Sequence, residues 1–180
     1  MGCTSRMIAG VLMGALAGCA PRSSVAPVPT PAAGHTAGEE AAVLAVADSF
    51  MRALTAGDRA AMAALQLPDA MTHTASVRPG QPVRVQGRPV TAFTDPSRPA
   101  GPPMRERYWS PTVLVRHAIA LVWAPYEFWV DGVTSHCGVD MFTFAKVDGR
   151  WRMANALWTV EPEACVELRP RNAGDIRPRD

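Results

Sequence analysis

Apolar positions along the chain keep one period up to about residue 65 and another after residue 104. Val43, Val46, Ala47, Phe50 and Leu54 recur every three or four residues, which places them on one face of a helix. Thr36, followed three residues later by Glu39, supplies a capping-box pattern at its start, and Gly57 supplies its end. Asp58 is placed to cap a second, shorter helix through Leu65, which Pro68 terminates. Residues 71–90 carry strand-like pieces interrupted by Pro79-Gly80-Gln81-Pro82, the pattern of a hairpin. Residues 89–93 read as a further helical turn, and 94–103, dense in Pro and Gly, as a loop.

The second half alternates. Residues 104–109, 112–123, 126–130, 133–146 and 151–160 are rich in β-branched and aromatic side chains, separated by short turn signals, and predict strands. Asp131-Gly132 and Asp148-Gly149 are two-residue hairpin turns, because type I′ geometry needs positive φ at both central positions. Helices first and an antiparallel meander afterwards make an α+β domain, with the helices packed on one face of the sheet.

Those two turns set a register. If Val130 faces Val133, Glu127 falls opposite His136 and Trp123 opposite Asp140; the next hairpin then sets Asp140 against Leu157 and Phe142 against Asn155. One face would carry Ile119, Leu121, Trp123, Glu127, His136, Asp140, Phe142, Phe144, Met153, Asn155 and Leu157. It is large and apolar with a few ionisable groups, the mix of a pocket wall lying under the helices. The opposite face is Ala-rich, with Ala118, Ala120, Val122, Thr143, Ala145, Arg152, Ala154 and Ala156. A bulge at Pro125 would flip parity on one side of it.

The first residues read as something other than fold. Residues 1–6 carry one positive charge, and 7–15 are apolar over only about nine residues, a signal-peptide length too short to span a bilayer. Leu16-Ala17-Gly18-Cys19 resembles the lipobox of bacterial lipoproteins, which implies removal of residues 1–18 and a lipid anchor on Cys19. Ala20 in place of aspartate implies sorting to the outer membrane, facing the periplasm. Residues 19–38, where Pro27, Pro29 and Pro31 alternate, favour extended polyproline geometry and read as a tether reaching up to roughly 60 Å. What remains suffices for one domain, 39–166, with 167–180 as a flexible C-terminal tail.

Composition narrows the function classes. The net charge is +2 and the charged residues are scattered, so nothing points to a nucleic-acid surface. Cys3 leaves with the signal, so Cys137 and Cys165 remain beside Cys19. In an oxidising compartment a Cys137–Cys165 disulfide is the natural inference, worth roughly 3–4 kcal/mol by loop entropy; a metal-binding pair or a nucleophilic thiol would need ligand or base spacing that the sequence lacks. No zinc spacing, phosphate-cradling glycine loop or serine elbow is present, so neither a metal nor a cofactor is expected.

The run Trp123-Ala-Pro-Tyr126-Glu-Phe128-Trp-Val-Asp-Gly132-Val-Thr-Ser135-His136-Cys137-Gly138-Val-Asp140-Met-Phe142 is followed by Trp151 and Cys165. It resembles the bacterial exported branch of the nuclear transport factor 2-like superfamily, whose members carry a similar Ser-His-Cys-Gly block; the order of helix, Gly-Asp, short helix and long strands is similar as well. That superfamily also holds the SnoaL-like cyclases, ketosteroid isomerase and scytalone dehydratase. The resemblance implies a cone-shaped fold, N-terminal helices packed on a strongly curved antiparallel sheet. It implies no active site: the paired acids and tyrosine of the isomerase and the histidine–aspartate pair of the dehydratase have no matching motif here.

Chemistry therefore has to be read from the residues. His136 and Asp140 point the same way but lie about 13 Å apart by strand rise, too far for a direct hydrogen bond. Glu127 opposite His136 is the better acid–base pair, or else a structural ion pair at the sheet rim. Asp140 among aromatic neighbours would have a raised pKa and act as an acid or donor towards a ligand, or else fix the core by bonding backbone or the Trp123 indole. His73 would reach the mouth of the cone or stay a satisfied surface residue. Trp123, Phe142, Asn155 and Leu157 complete the expected ligand wall, although the tryptophans serve packing as well. Three functions fit: binding of a small apolar or aromatic ligand, a cofactor-free isomerase or dehydratase using Glu127, His136 or Asp140, and a structural homodimer.

Overall fold

The structure is a computed structural model that describes residues 37–172, 174 and 176–178. The expected signal segment 1–18, Cys19, all but the end of the 19–38 tether and the Thr36 cap lie outside the described residues. Helix α1 (Ala37–Ala56) buries Val43, Ala47, Met51 and Leu54, a stripe at helical spacing that packs on the sheet. Asp48 lies in that stripe and is buried with partners: Tyr108 Oη donates to its Oδ1 at 2.6 Å, and Arg177 pairs with its Oδ2. Glu39 engages the sheet with both carboxylate oxygens, accepting from Lys146 Nζ at 2.7 Å and Trp151 Nε1 at 2.8 Å. Gly57, at φ 66°, ends α1, and the Asp58 side chain accepts from Ala61 N at 2.9 Å to start α2 (Arg59–Ala64).

Strands β1 (Gln66–Ser76) and β2 (Arg84–Pro89) form the expected hairpin. Pro68 does not end a helix. It sits where β1 shifts register against its neighbour between Gln66 and Met71, a place where no ladder N–H is needed. A short helix, α3 (Thr91–Thr94), and the 95–103 loop lead into β3 (Met104–Trp109), β4 (Thr112–Arg116), β5 (Ile119–Val130), β6 (Val133–Val147) and β7 (Arg150–Val160). The sheet order is β2-β1-β7-β6-β5-β3, with β4 also on β5. It is antiparallel except at one seam, where β1 runs parallel to β7 and so departs from a pure meander. The expected 112–123 strand is two strands, because Arg116 pairs with Ile119 around His117, at φ 51°. That hairpin carries no glycine signal. β5 runs unbroken through Pro125, which faces Val139.

Both Asp-Gly turns have positive φ at the two central residues, 52° and 76° at 131–132 and 50° and 74° at 148–149. Val130 faces Val133 as the first turn requires, but the ladder then slips: Trp129 faces Thr134 and Phe128 faces His136, which leaves Ser135 as an extra residue on β6. A second slip sets Thr143 against Asn155 and Phe144 against Met153, which leaves Ala154 extra on β7. These two bulges move the expected partners by one residue and decide which side chains enter the core.

The described residues of the 167–180 segment, expected from sequence as a flexible tail, lie against the sheet. Helix α4 (Cys165–Leu168) is joined to β6 by the Cys137–Cys165 disulfide, and β8 (Ile176–Arg177) pairs with β3. Arg169 reaches Glu127 and Arg177 reaches Asp48, so two arginines hold the tail down.

Candidate ligand site

Inside the sheet, alternate residues of β3, β5 and β6 point towards α1 and α2: Met104, Glu106 and Tyr108; Ala124, Tyr126 and Phe128; His136, Asp140 and Phe142. All of these except Tyr108 and Ala124 bound a cavity of about 210 Å³, closed from the helix side by Phe50, Leu54 and Met62 and at its rim by Phe93 and Trp158, whose rings meet edge-on at 6.1 Å. An apolar cavity of roughly 150 Å³ already admits a benzene ring, so this one has room for a small ring compound. Arg59 holds one flank: its guanidinium donates to the carbonyls of Asp95 (3.1 Å), Arg98 (2.5 Å) and Pro99 (2.8 Å), tying the 95–103 loop to α2.

The polar groups of the cavity are few. Asp140, 2% exposed, and Glu106, half-buried, are hydrogen-bonded to each other. Two carboxylates have no donor between them, so this bond requires a shared proton. Burial pushes the Glu106 carboxyl up to about 7, although its bond with Asp140 lowers it somewhat. Burial, then the Glu106 charge and hydrogen bond, push Asp140 well above the usual carboxyl range. Asp140 is therefore the proton holder and Glu106 the group that titrates near neutrality. His136 lies between two rings, stacked on Phe128 at 5.1 Å and edge-on to Tyr126 at 5.7 Å; burial lowers its pKa from the ordinary histidine value. Tyr126 Oη donates to Thr159 O at 2.6 Å, and Gln66, 3% exposed, has no partner for its Oε1.

Of the residues read from sequence, His136, Asp140 and Phe142 line this cavity together. Five others do not, and the bulges are the main reason. The slip at Ser135 turns Glu127 to the outer face, where Arg169 bonds it at 2.5 and 3.0 Å and Thr134 at 2.5 Å. Burial raises the Glu127 pKa, but the bonds and charge of Arg169 with the Thr134 bond outweigh that and hold it below the usual range. The expected Glu127–His136 pair does not form. Trp123 shares the outer parity and is 49% exposed. The slip at Ala154 turns Asn155 outwards, where Oδ1 accepts from Met71 N at 3.0 Å, and Leu157 with it; Ala156 and Trp158 take their places. His73, the partner of Leu157 on β1, packs over Gly87 on the same outer side.

Sequence reasoning misses Glu106, Tyr126 and Gln66. Period-2 alternation within Met104-Arg-Glu106-Arg-Tyr108 carries a signal for Glu106, since an acid on the apolar parity of a strand is costly without a partner.

The fold and this inward-opening cavity define the class. The chain has the architecture of nuclear transport factor 2-like proteins. Residues 38–159 match the family described as "Putative lumazine-binding", and the chain belongs to that family. Similar solved structures include a protein of unknown function with a cystatin-like fold from Nostoc punctiforme, with TM-score 0.53 and 12% identity, covering 71% of this chain and 95% of that one. A nuclear transport factor 2-like protein of unknown function from Pseudomonas putida has TM-score 0.53 and 16% identity, with 70% and 89% covered. A protein of unknown function from Mycobacterium tuberculosis has TM-score 0.55 and 13% identity, with 76% and 80% covered. At these identities the likeness concerns the fold. No curated protein is detectably similar in sequence.

Proposed function

We propose that the chain is a ligand-binding domain of the bacterial cell envelope, lipidated at Cys19, held in the periplasm on its 19–38 tether and taking a small apolar or aromatic molecule into the cavity. The observation that carries the binding reading is an apolar cavity of about 210 Å³ whose wall includes Gln66 Oε1 and Asp140 Oδ2, two buried oxygens without an N–H or O–H donor from the protein. An unsatisfied buried acceptor costs on the order of 1–3 kcal/mol, and a ligand that supplies the donor recovers it. The lumazine of the family's description is a small ring compound of a size such a cavity suits. The lipobox resemblance at Leu16-Ala17-Gly18-Cys19 supports the anchor. The test is extraction of the full chain from cell envelopes in mild detergent, followed by native mass spectrometry before and after organic solvent. A reproducible small mass lost on solvent treatment, together with the mass of a diacylglycerol on Cys19, is the expected result. An empty cavity in every preparation would count against binding, and an unmodified Cys19 against the anchor.

Glu106 near neutrality beside a protonated Asp140 favours a second reading, because a base and an acid then share one cavity. In that case the domain is a cofactor-free isomerase or dehydratase, with Glu106 in the role the sequence suggests for Glu127. Conversion of the extracted compound by the wild-type chain and not by Glu106→Gln would support it. The outer sheet face carries Leu114, Ile119 and Trp123, 48%, 64% and 49% exposed, and a homodimer would cover them. Sedimentation of wild type against Ile119→Lys reads that possibility directly.

A further inference from the structure

Among the described residues, the buried side-chain atoms of the cavity left without a partner are both oxygens. Gln66 Nε2 is directed at Met153 Sδ, 3.8 Å away; Thr72 Oγ1 donates to Arg88 O at 3.1 Å; Thr94 Oγ1 lies 3.3 Å from Val90 O; Tyr126 Oη donates to Thr159 O. Each of these donors is engaged by the protein. What remains open among the described residues is Gln66 Oε1 and Asp140 Oδ2, both oxygens, with the Glu106 carboxyl beside them bonded to Asp140. His136 alone has a ring nitrogen whose role depends on its tautomer, its Nδ1 being 3.1 Å from Ser135 Oγ. Among the described residues no Lys or Arg lines the cavity, while two acids do, and the rest of the wall is largely aromatic and aliphatic.

We propose that the cavity selects a small aromatic compound bearing a basic, N–H-donating nitrogen, with Glu106, Asp140 and Gln66 accepting its hydrogen bonds and the rings of Phe50, Phe128 and Phe142 enclosing its apolar part. The proposal rests on the ligand-binding reading above and narrows its chemistry. An ammonium or amidinium group supplies two or three donors and a positive charge where the unpartnered protein atoms are oxygens beside Glu106. A carboxylate meets two acids with no cation to offset them, and its desolvation goes uncompensated. A neutral alcohol brings a single donor and fits the walls without using the charge. Aromatic faces beside the cation add to the same preference.

Three probes of nearly equal size separate these cases on the full chain by isothermal titration calorimetry: benzylamine, benzyl alcohol and benzoate. Benzylamine is expected to bind at least about tenfold more tightly than benzyl alcohol, with benzoate weakest. Glu106→Gln should erase most of that preference while leaving benzyl alcohol binding in place. Ala156→Trp, which fills the cavity beside Phe142, should abolish binding of all three. Because Glu106 sits at about 7, a bound cation drives it to the carboxylate, so titrations in buffers of different ionisation enthalpy should show release of roughly half a proton at pH 7.

Benzyl alcohol or benzoate matching benzylamine in wild type, with Ala156→Trp still abolishing both, overturns this inference and leaves the cavity as a binding site. Benzylamine binding that survives Ala156→Trp marks attachment to surface acids and overturns it as well. Absence of binding by all three overturns it too, and the envelope extraction then decides separately whether the cavity holds anything. If Glu106→Gln fails to fold, the wild-type preference and the proton release still decide between these outcomes.

Discussion

Tyr126 and Gly138 are direct cross-strand partners, and the tyrosine ring fills the space a side chain at 138 would need. A Cβ placed on Gly138 would lie 2.8 Å from Tyr126 Cε1 and 2.1 Å from the carbonyl oxygen of Thr159, the same oxygen that accepts from Tyr126 Oη. The glycine lets the tyrosine cross β6 and bond to the strand beyond it, setting one wall of the cavity. Gly138→Ala must push β7 away and is expected to cost about 3 kcal/mol or more in urea unfolding. Tyr126→Phe keeps the ring and loses one bond, for about 1 kcal/mol. Equal, small losses from both would mean that the ladder yields more easily than this geometry implies.

The acid pair predicts an unusual pH dependence. Glu106 and Asp140 hold protons in the folded state at pH values where the unfolded chain has released them, so stability falls as pH rises from the ordinary carboxyl range through about 7. Their contribution is greatest below that window and is lost above it as Glu106 ionises. His136 runs the other way: its lowered pKa means that folding loses stability as pH drops below the ordinary histidine value. Glu106→Gln should therefore flatten the fall between pH 5 and 8 by on the order of 1 kcal/mol, after allowing for the solvent that reaches Glu106 through the cavity. Urea midpoints at four pH values measure it, and parallel wild-type and variant profiles would falsify the shared-proton arrangement.

Arg59 holds the loop flanking the cavity through three carbonyl oxygens, contacts that a lysine cannot reproduce with one ammonium group. Arg59→Lys is expected to raise amide hydrogen exchange across residues 95–101 several-fold while the β5–β7 core stays protected. Probe binding should change in rate more than in affinity. Unchanged exchange in the loop would show that Asp95 and Ser97 hold it without Arg59, since the Asp95 carboxylate already accepts from Ser97 N at 2.8 Å and Ser97 Oγ at 2.7 Å.

The Cys137–Cys165 disulfide closes a loop with a sequence separation of 28 residues, which by chain entropy is worth about 3–4 kcal/mol. Replacing both cysteines by serine should lower unfolding stability by about that amount. Loss of α4 should also free Arg169 from Glu127. The expected sign is a higher Glu127 pKa, seen by NMR titration, because burial is then no longer outweighed. A Glu127 titration unchanged in the serine variant would place the anchor in Arg169 itself.

Much of the fold was legible because it rests on local rules. Helical spacing from Val43 to Leu54, the Asp58 cap, the two Asp-Gly turns and the strands from 104 onwards all follow from side chains a few residues apart. On β6, where alternation holds from His136 to Phe144, the inward residues were legible as well. Register failed on β5 and β7, because a bulge is settled between neighbouring strands and leaves no required residue type in either; Ser135 and Ala154 look like any other strand positions. One extra residue moves every later side chain to the opposite face. That slip makes Glu127 the anchor of the C-terminal segment rather than a partner of His136.

The sequence by itself determined the α+β class, the order of elements, the closing turns and the acid Asp140 on an apolar strand face. Only the tertiary structure decided which carboxyl stands beside Asp140. Glu106 comes from a strand 34 positions away in sequence, joined to it through β5, and that contact depends on sheet order and on the bulged register together. Burial raises both acids, and the Glu106 charge and hydrogen bond raise Asp140 further; these are properties of the paired sheet, so they exist only once the strands are together.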